Sequence, residues 1–65
     1  MLIINGQAQE ISTPINLAMY LKEYNYPIDK IAVELNGMII PKAKYNETLL
    51  NSNDKLEIVT FVGGG

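Results

Sequence analysis

The sequence predicts an α+β fold, a mixed sheet of four to five strands with one main helix packed on one face. Three observations carry this. Two Asn-Gly pairs, Asn5-Gly6 and Asn36-Gly37, each lie between apolar runs, and Asn-Gly supplies the two positive-φ positions of a type I′ hairpin turn. Leu17, Tyr20, Leu21 and Tyr24 fall at i, i+3, i+4 and i+7, which is one face of an α-helix. A final alternating run from Lys55 to Phe61 supplies a further strand after the second hairpin.

Met1 to Ile4 is an apolar run that meets Asn5-Gly6, and Gln7 to Ile11 is the extended return, so the chain opens with a hairpin. The helix begins near Leu17. Asn16 is a good N-cap because its side-chain oxygen can accept an orphan N–H of the first turn; Thr13 as cap with Pro14 in the first turn is the rival start. Pro27 biases Tyr26 out of the α region and cannot continue the hydrogen-bond ladder, so the helix ends near Tyr24 or Asn25.

Ile31 to Leu35 alternates into Asn36-Gly37 and returns through Met38-Ile39-Ile40 to Pro41. Proline cannot donate to a ladder, so that return strand is short or at an edge. Lys42 to Leu50 lacks a sustained period and reads as an irregular crossover, with one helical turn near Ala43 to Tyr45 and with Tyr45, Leu49 and Leu50 facing the core. Asn51 to Asp54 is a turn cluster. In the last strand Leu56 and Ile58 share one face, and Glu57, Val59 and Phe61 the other. A helix this short is not stable alone and must bury its Leu17/Leu21 side on the sheet. With the final strand returning beside the first, at the sheet centre, the arrangement is the β-grasp.

At 65 residues the chain is one domain near the lower size at which a single core suffices. The expected division is a β-grasp domain over residues 1–62 and a flexible glycine tail over 63–65. With no Cys and no His, neither a disulfide nor a good zinc site can staple it. The N-terminal residues lack a signal-peptide pattern and no apolar stretch reaches membrane-span length. The expectation is a soluble cytoplasmic protein without a membrane partner.

The net charge is −2, the cations are Lys22, Lys30, Lys42, Lys44 and Lys55, and Arg is absent. A binder of phosphate backbones carries a basic patch and commonly Arg to read base edges, so nucleic acid is an unexpected partner. The inventory also argues against an enzyme: there is no imidazole for proton transfer near neutral pH and no thiol nucleophile. The carboxylates are spread singly along the chain.

The sequence closes on Gly63-Gly64-Gly65 directly after the strand. Residues without Cβ can thread a narrow slot and adopt φ values closed to others. Such an end suits delivery of a bare carboxylate into another protein's active site. The sheet face away from the helix is the candidate docking surface, with Ile3, Ala32, Glu57, Val59 and Phe61 assigned to it by alternation and Met38 at its rim.

Over essentially its whole length the chain resembles the ubiquitin-like sulfur carriers of the ThiS/MoaD family, most closely the thiamin branch. The resemblance rests on Leu17-x-x-Tyr20-Leu21-x-x-Tyr24, on Val33 through Lys42, on Tyr45, on Asn53 through Val59, and on the double-glycine ending Gly64-Gly65. At Asn53-Asp54 the family more often has Gly-Asp. The resemblance implies that Gly65 bears the carboxylate that becomes an adenylate and then a thiocarboxylate, with Gly64 giving backbone clearance beside it; Gly63, outside what the resemblance covers, is an extra hinge of the tail that enters the partner's active site.

It further implies a ThiF-like adenylating enzyme using ATP and magnesium, a persulfide sulfur donor protein, and thiazole synthase (ThiG-like) as the acceptor; the chain itself binds no cofactor or metal. The rival readings are the small subunit of molybdopterin synthase, which tends to a Pro-rich approach where this chain has Thr60-Phe61-Val62, a protein modifier attached through Gly65, and a binding-only β-grasp domain.

Overall fold

Both Asn-Gly pairs turn as expected, with φ of 49° at Asn5, 81° at Gly6, 52° at Asn36 and 85° at Gly37. The structure, a computed structural model, describes Met1 to Phe61. Its strands are β1 (Leu2–Ile4), β2 (Gln7–Gln9), β3 (Ile15–Asn16), β4 (Ile31–Leu35), β5 (Met38–Ile40), β6 (Leu49–Leu50) and β7 (Lys55–Thr60), with helix α1 over Leu17–Glu23. The extended return of the first hairpin is shorter than Gln7 to Ile11. It stops at Gln9, because its partner β1 offers only three residues to pair with and Leu2 is already opposite Gln9.

The main sheet has five strands in the order β2-β1-β7-β4-β5. β7 lies at the centre, parallel to β1 and antiparallel to β4, so the two hairpins flank the last strand. The edge position of β5 agrees with Pro41 ending it. Alternation then sorts the sheet into two faces. Leu2, Ile4, Ile31, Val33, Leu56 and Ile58 are buried and join Leu17, Tyr20, Leu21, Tyr45 and Leu50 in one core.

Asn16 is the N-cap, its side-chain oxygen accepting from the Met19 N–H at 3.1 Å. The rival cap at Thr13 is excluded, since Ile15 and Asn16 form a strand paired with Leu50 and Leu49. At the other end the helix closes before Pro27 has any bearing. Asn25 takes φ 60°, its N–H donates to the Lys22 carbonyl at 3.1 Å, and the Tyr26 N–H donates to Leu21 at 2.9 Å. This is a Schellman closure with asparagine in the left-handed position usually given to glycine.

The crossover holds more order than its lack of period suggests. A 3₁₀ segment runs over Lys42–Glu47, and β6 then pairs with β3. Tyr45 and Leu50 face the core as expected, but Leu49 is 55% exposed. Leu49 and Leu50 are successive residues of a strand and therefore point to opposite sides; the expectation that both face inward is corrected. Asn53, in the turn before β7, sits at φ 71°, a conformation asparagine tolerates.

Candidate functional site

Sheet register decides which side chains share the face opposite the helix. In the β4–β7 pair Ala32 lies opposite Val59 and Glu34 opposite Glu57; in the β1–β7 pair Ile3 lies beside Lys55. All of these alternate with buried residues, so Ile3, Ala32, Glu57 and Val59 do occupy one outer face. Val59 is 57% exposed. Phe61 follows β7 directly, its N–H donating to the Lys30 carbonyl at 2.6 Å, and its side chain is also largely exposed.

Met38 does not belong at that rim. The two-residue turn at Asn36-Gly37 sets Leu35 opposite Met38 and Glu34 opposite Ile39, which puts Met38 on the helix side of the edge strand and Ile39 on the outer face. Ile39, 73% exposed, Glu34 and Lys55 are face residues that sequence reasoning missed. The signal was present: an Asn-Gly turn fixes register, and counting outward from it pairs 34 with 39. The outer face thus carries a row Ile39, Glu34, Glu57 across three strands and a neighbouring row of Ala32 and Val59.

β7 is supported from both hairpin turns. The Asn5 N–H donates to the Leu56 carbonyl at 2.8 Å, and its side-chain oxygen accepts from the Ile58 N–H at 2.7 Å. On the other flank the Asn36 N–H donates to the Lys55 carbonyl at 2.8 Å. Its side-chain oxygen accepts from the Lys55 N–H at 2.9 Å and its amide donates to Asp54 at 3.0 Å. The turn asparagines therefore extend the sheet ladder past the ends of β1 and β4, and hold β7 along its first half.

Gly63, Gly64 and Gly65, together with Val62, lie outside the described residues. Tyr20, packed beside Tyr24 at a ring-centroid distance of 4.7 Å and Tyr26 at 6.2 Å, has its phenol pushed well above the usual tyrosine range, chiefly by burial. Burial also raises Tyr45. The Lys42 ammonium beside Asp29 lowers that carboxyl. These groups belong to the helix side. A shallow groove there, about 600 Å³ and lined by Ala18, Lys22, Tyr26, Ile28, Lys42 and Tyr45 among others, shares no residue with the outer face. No helix among the described residues is long and apolar enough to cross a membrane.

A five-stranded mixed sheet with a central last strand and one helix on one face defines a ubiquitin-like β-grasp domain. The model of the ThiS family matches residues 2–65, and the chain belongs to that family. A crystal structure of the thiamine biosynthesis protein (ThiS) from Geobacter metallireducens superposes with a TM-score of 0.84 at 25% identity, covering 98% of this chain and 97% of that one.

The "Uncharacterized protein ycf40" of Pyropia yezoensis is 42% identical over 95% of this chain and 87% of its own length. The thiazole synthase of Paramagnetospirillum magneticum is 42% identical over 98% of this chain. This chain spans only 20% of that protein's length.

Proposed function

We propose that the chain is a sulfur carrier for the thiazole branch of thiamin synthesis, a protein co-substrate that other enzymes act on. Membership of the ThiS family is the observation that carries this reading, and the fold gives it a physical form. β7 is tied on both sides to the rest of the sheet, and the glycine segment follows it in sequence. A carboxylate at Gly65 is a poor electrophile, because its charge is delocalised and oxide is a bad leaving group.

An adenylating partner, using ATP and magnesium, converts it to an acyl-adenylate with release of pyrophosphate. Persulfide sulfur from a donor protein displaces AMP. Cleavage of the remaining S–S bond by a thiol leaves the thiocarboxylate, which a thiazole synthase consumes. Gly64 and Gly63 provide clearance for the approach, since a backbone without Cβ passes where other residues collide.

Four residues span at most about 14 Å, so a partner that reaches Gly65 must sit close to Phe61. The outer face, with Ile3, Ala32, Glu57, Val59 and Phe61 and with Ile39 and Glu34 added, is the docking surface in this reading. Ordering a backbone residue costs about 1–2 kcal/mol, and contacts on this face offset that cost for the tail. The reading is tested by intact mass of the chain incubated with ATP, an adenylating partner and a persulfide source. Replacement of one terminal oxygen by sulfur is the expected result; an unchanged mass, under conditions that convert a known carrier, overturns it.

A further inference from the structure

Glu34 and Glu57 stand directly opposite each other on neighbouring strands, both exposed. Directly opposed side chains in an antiparallel pair have Cβ atoms about 4.5–5.5 Å apart, and like charges at that spacing are destabilising. Among the described residues the ion pairs are Lys42 with Asp29 and Lys44 with Glu47, and no cation is paired with either Glu34 or Glu57. Lys30 closes a 3₁₀ turn over Ile28–Lys30, Lys42 and Lys44 belong to the 3₁₀ segment Lys42–Glu47, and Lys22 to the helix. On the outer face Lys55 is the cation: it lies two residues before Glu57 on β7 and diagonal to Glu34, about 7–8 Å away at the Cβ level, beside Ile3 on one flank and Asn36 on the other, so it moderates the repulsion without making an ion pair with either glutamate.

The repelling pair is also set in apolar surroundings. Ile39 lies across from Glu34, and Ala32 and Val59 form the next row. Ile39 and Val59 are both large and exposed. An apolar patch of this kind marks an interaction surface, and the two carboxylates specify the charge of what covers it.

We propose that this face docks the adenylating partner through an apolar surface carrying one arginine, whose guanidinium seats between Glu34 and Glu57. The planar fork of a guanidinium can serve two carboxylates at once, and surrounding apolar contact excludes water and strengthens the attraction. The repulsion present in the free chain becomes attraction in the complex. The carboxylate pair thereby favours the bound state over the free one. The inference rests on the carrier reading above and adds to it the chemistry of the partner's surface.

The test uses the full chain with its adenylating enzyme and ATP, reading pyrophosphate release against chain concentration at several salt concentrations, beside thermal unfolding of the free chain. For E34Q/E57Q the expected result is a KM raised roughly tenfold, about 1.4 kcal/mol, with kcat unchanged and a shallower salt dependence. The free double variant should melt about 2–5 °C higher, because the repulsion is gone.

E57K should stabilise the free chain by pairing with Glu34 and raise KM further. Weaker docking from a more stable fold cannot come from unfolding. A KM and salt dependence equal to wild type overturn the proposal while leaving the carrier reading in place, and so does a raised KM accompanied by a lower melting temperature. Failure of the wild-type chain to be adenylated at all overturns both.

Discussion

The side-chain oxygen of Asn5 accepts the backbone N–H of Ile58 at 2.7 Å, so the turn that ends β1 also completes the ladder of β7. A turn residue is thereby tied to the strand that precedes the glycine segment. Asn5 does two jobs, holding φ at 49° and satisfying a partly buried donor. Replacement separates them. Asn5→Ala loses both and should destabilise the domain by about 1–3 kcal/mol. Asn5→Gly keeps the backbone freedom without the acceptor and should fall between wild type and alanine in urea unfolding, whereas Asn5→Asp keeps both the acceptor and the tolerance of positive φ and should stay near wild type.

The two leucines of β6 should differ sharply. Leu50 is fully buried and Leu49 more than half exposed. Leu50→Ala removes core volume and should cost about 2–5 kcal/mol, whereas Leu49→Ala should stay within about 0.5 kcal/mol. Equal losses in chemical denaturation would show that the strand assignment of this segment is wrong.

Deleting Gly64 and Gly65 should abolish adenylation and thiocarboxylate formation. Among the described residues the buried core lies between Leu2 and Ile58, so the thermal midpoint should not move. Intact mass and thermal unfolding on one sample check both halves. Retained cellular function in the truncated chain would favour a binding-only domain.

Val59→Asp puts a charge into the apolar part of the outer face. It should lower kcat/KM for adenylation at least about tenfold, as expected when a central contact of an interface is lost. Because the side chain points away from the core, circular dichroism should be unchanged. A folded variant adenylated at the wild-type rate removes this face from the docking surface.

Stability should fall in alkali. The Tyr20 phenol is pushed above its ordinary value of 10.0, mainly by burial, so the unfolded chain releases that proton at lower pH than the folded one. The contribution is complete below about pH 10 and is lost as pH rises from there toward the folded-state value. Between pH 9 and 11.5 the melting temperature of wild type should drop more steeply than that of Tyr20→Phe. Some slope should persist, because burial raises Tyr45 in the same direction. Parallel curves for the two proteins would contradict this.

Much of the fold was readable because its signals are local. Asn5-Gly6 and Asn36-Gly37 name their turns by backbone sterics alone, and Leu17, Tyr20 and Leu21 name a helix face by period. Pro27 predicts the end of the helix, but Asn25 makes it, since asparagine tolerates the left-handed region here as it does at Asn5. β3 and β6 were not readable, since two-residue strands have no period and exist only because the crossover is brought against the helix start. There the Leu17 N–H donates to Thr48 at 2.8 Å and the Asn16 amide to Asn46 at 2.8 Å.

On the outer face Ile3, Ala32, Glu57 and Val59 followed from alternation. Counting outward from the Asn36-Gly37 turn puts Ile39 on that face and Met38 on the other; alternation within a three-residue strand does not by itself say which.

The sequence by itself determined the two hairpins, the main helix and the last strand, the inward and outward sides of each long strand, and a run of glycines whose likeness to the sulfur carriers is the basis of the proposed chemistry. These depend on backbone sterics, side-chain period and residue type, all of which act over a few neighbouring residues. Only the tertiary structure decided that Glu34 meets Glu57, that Ile39 borders them, and that two turn asparagines hold β7. Those relations join residues up to 53 positions apart. They depend on register between strands, and register is fixed when all the strands bury one face against a common helix.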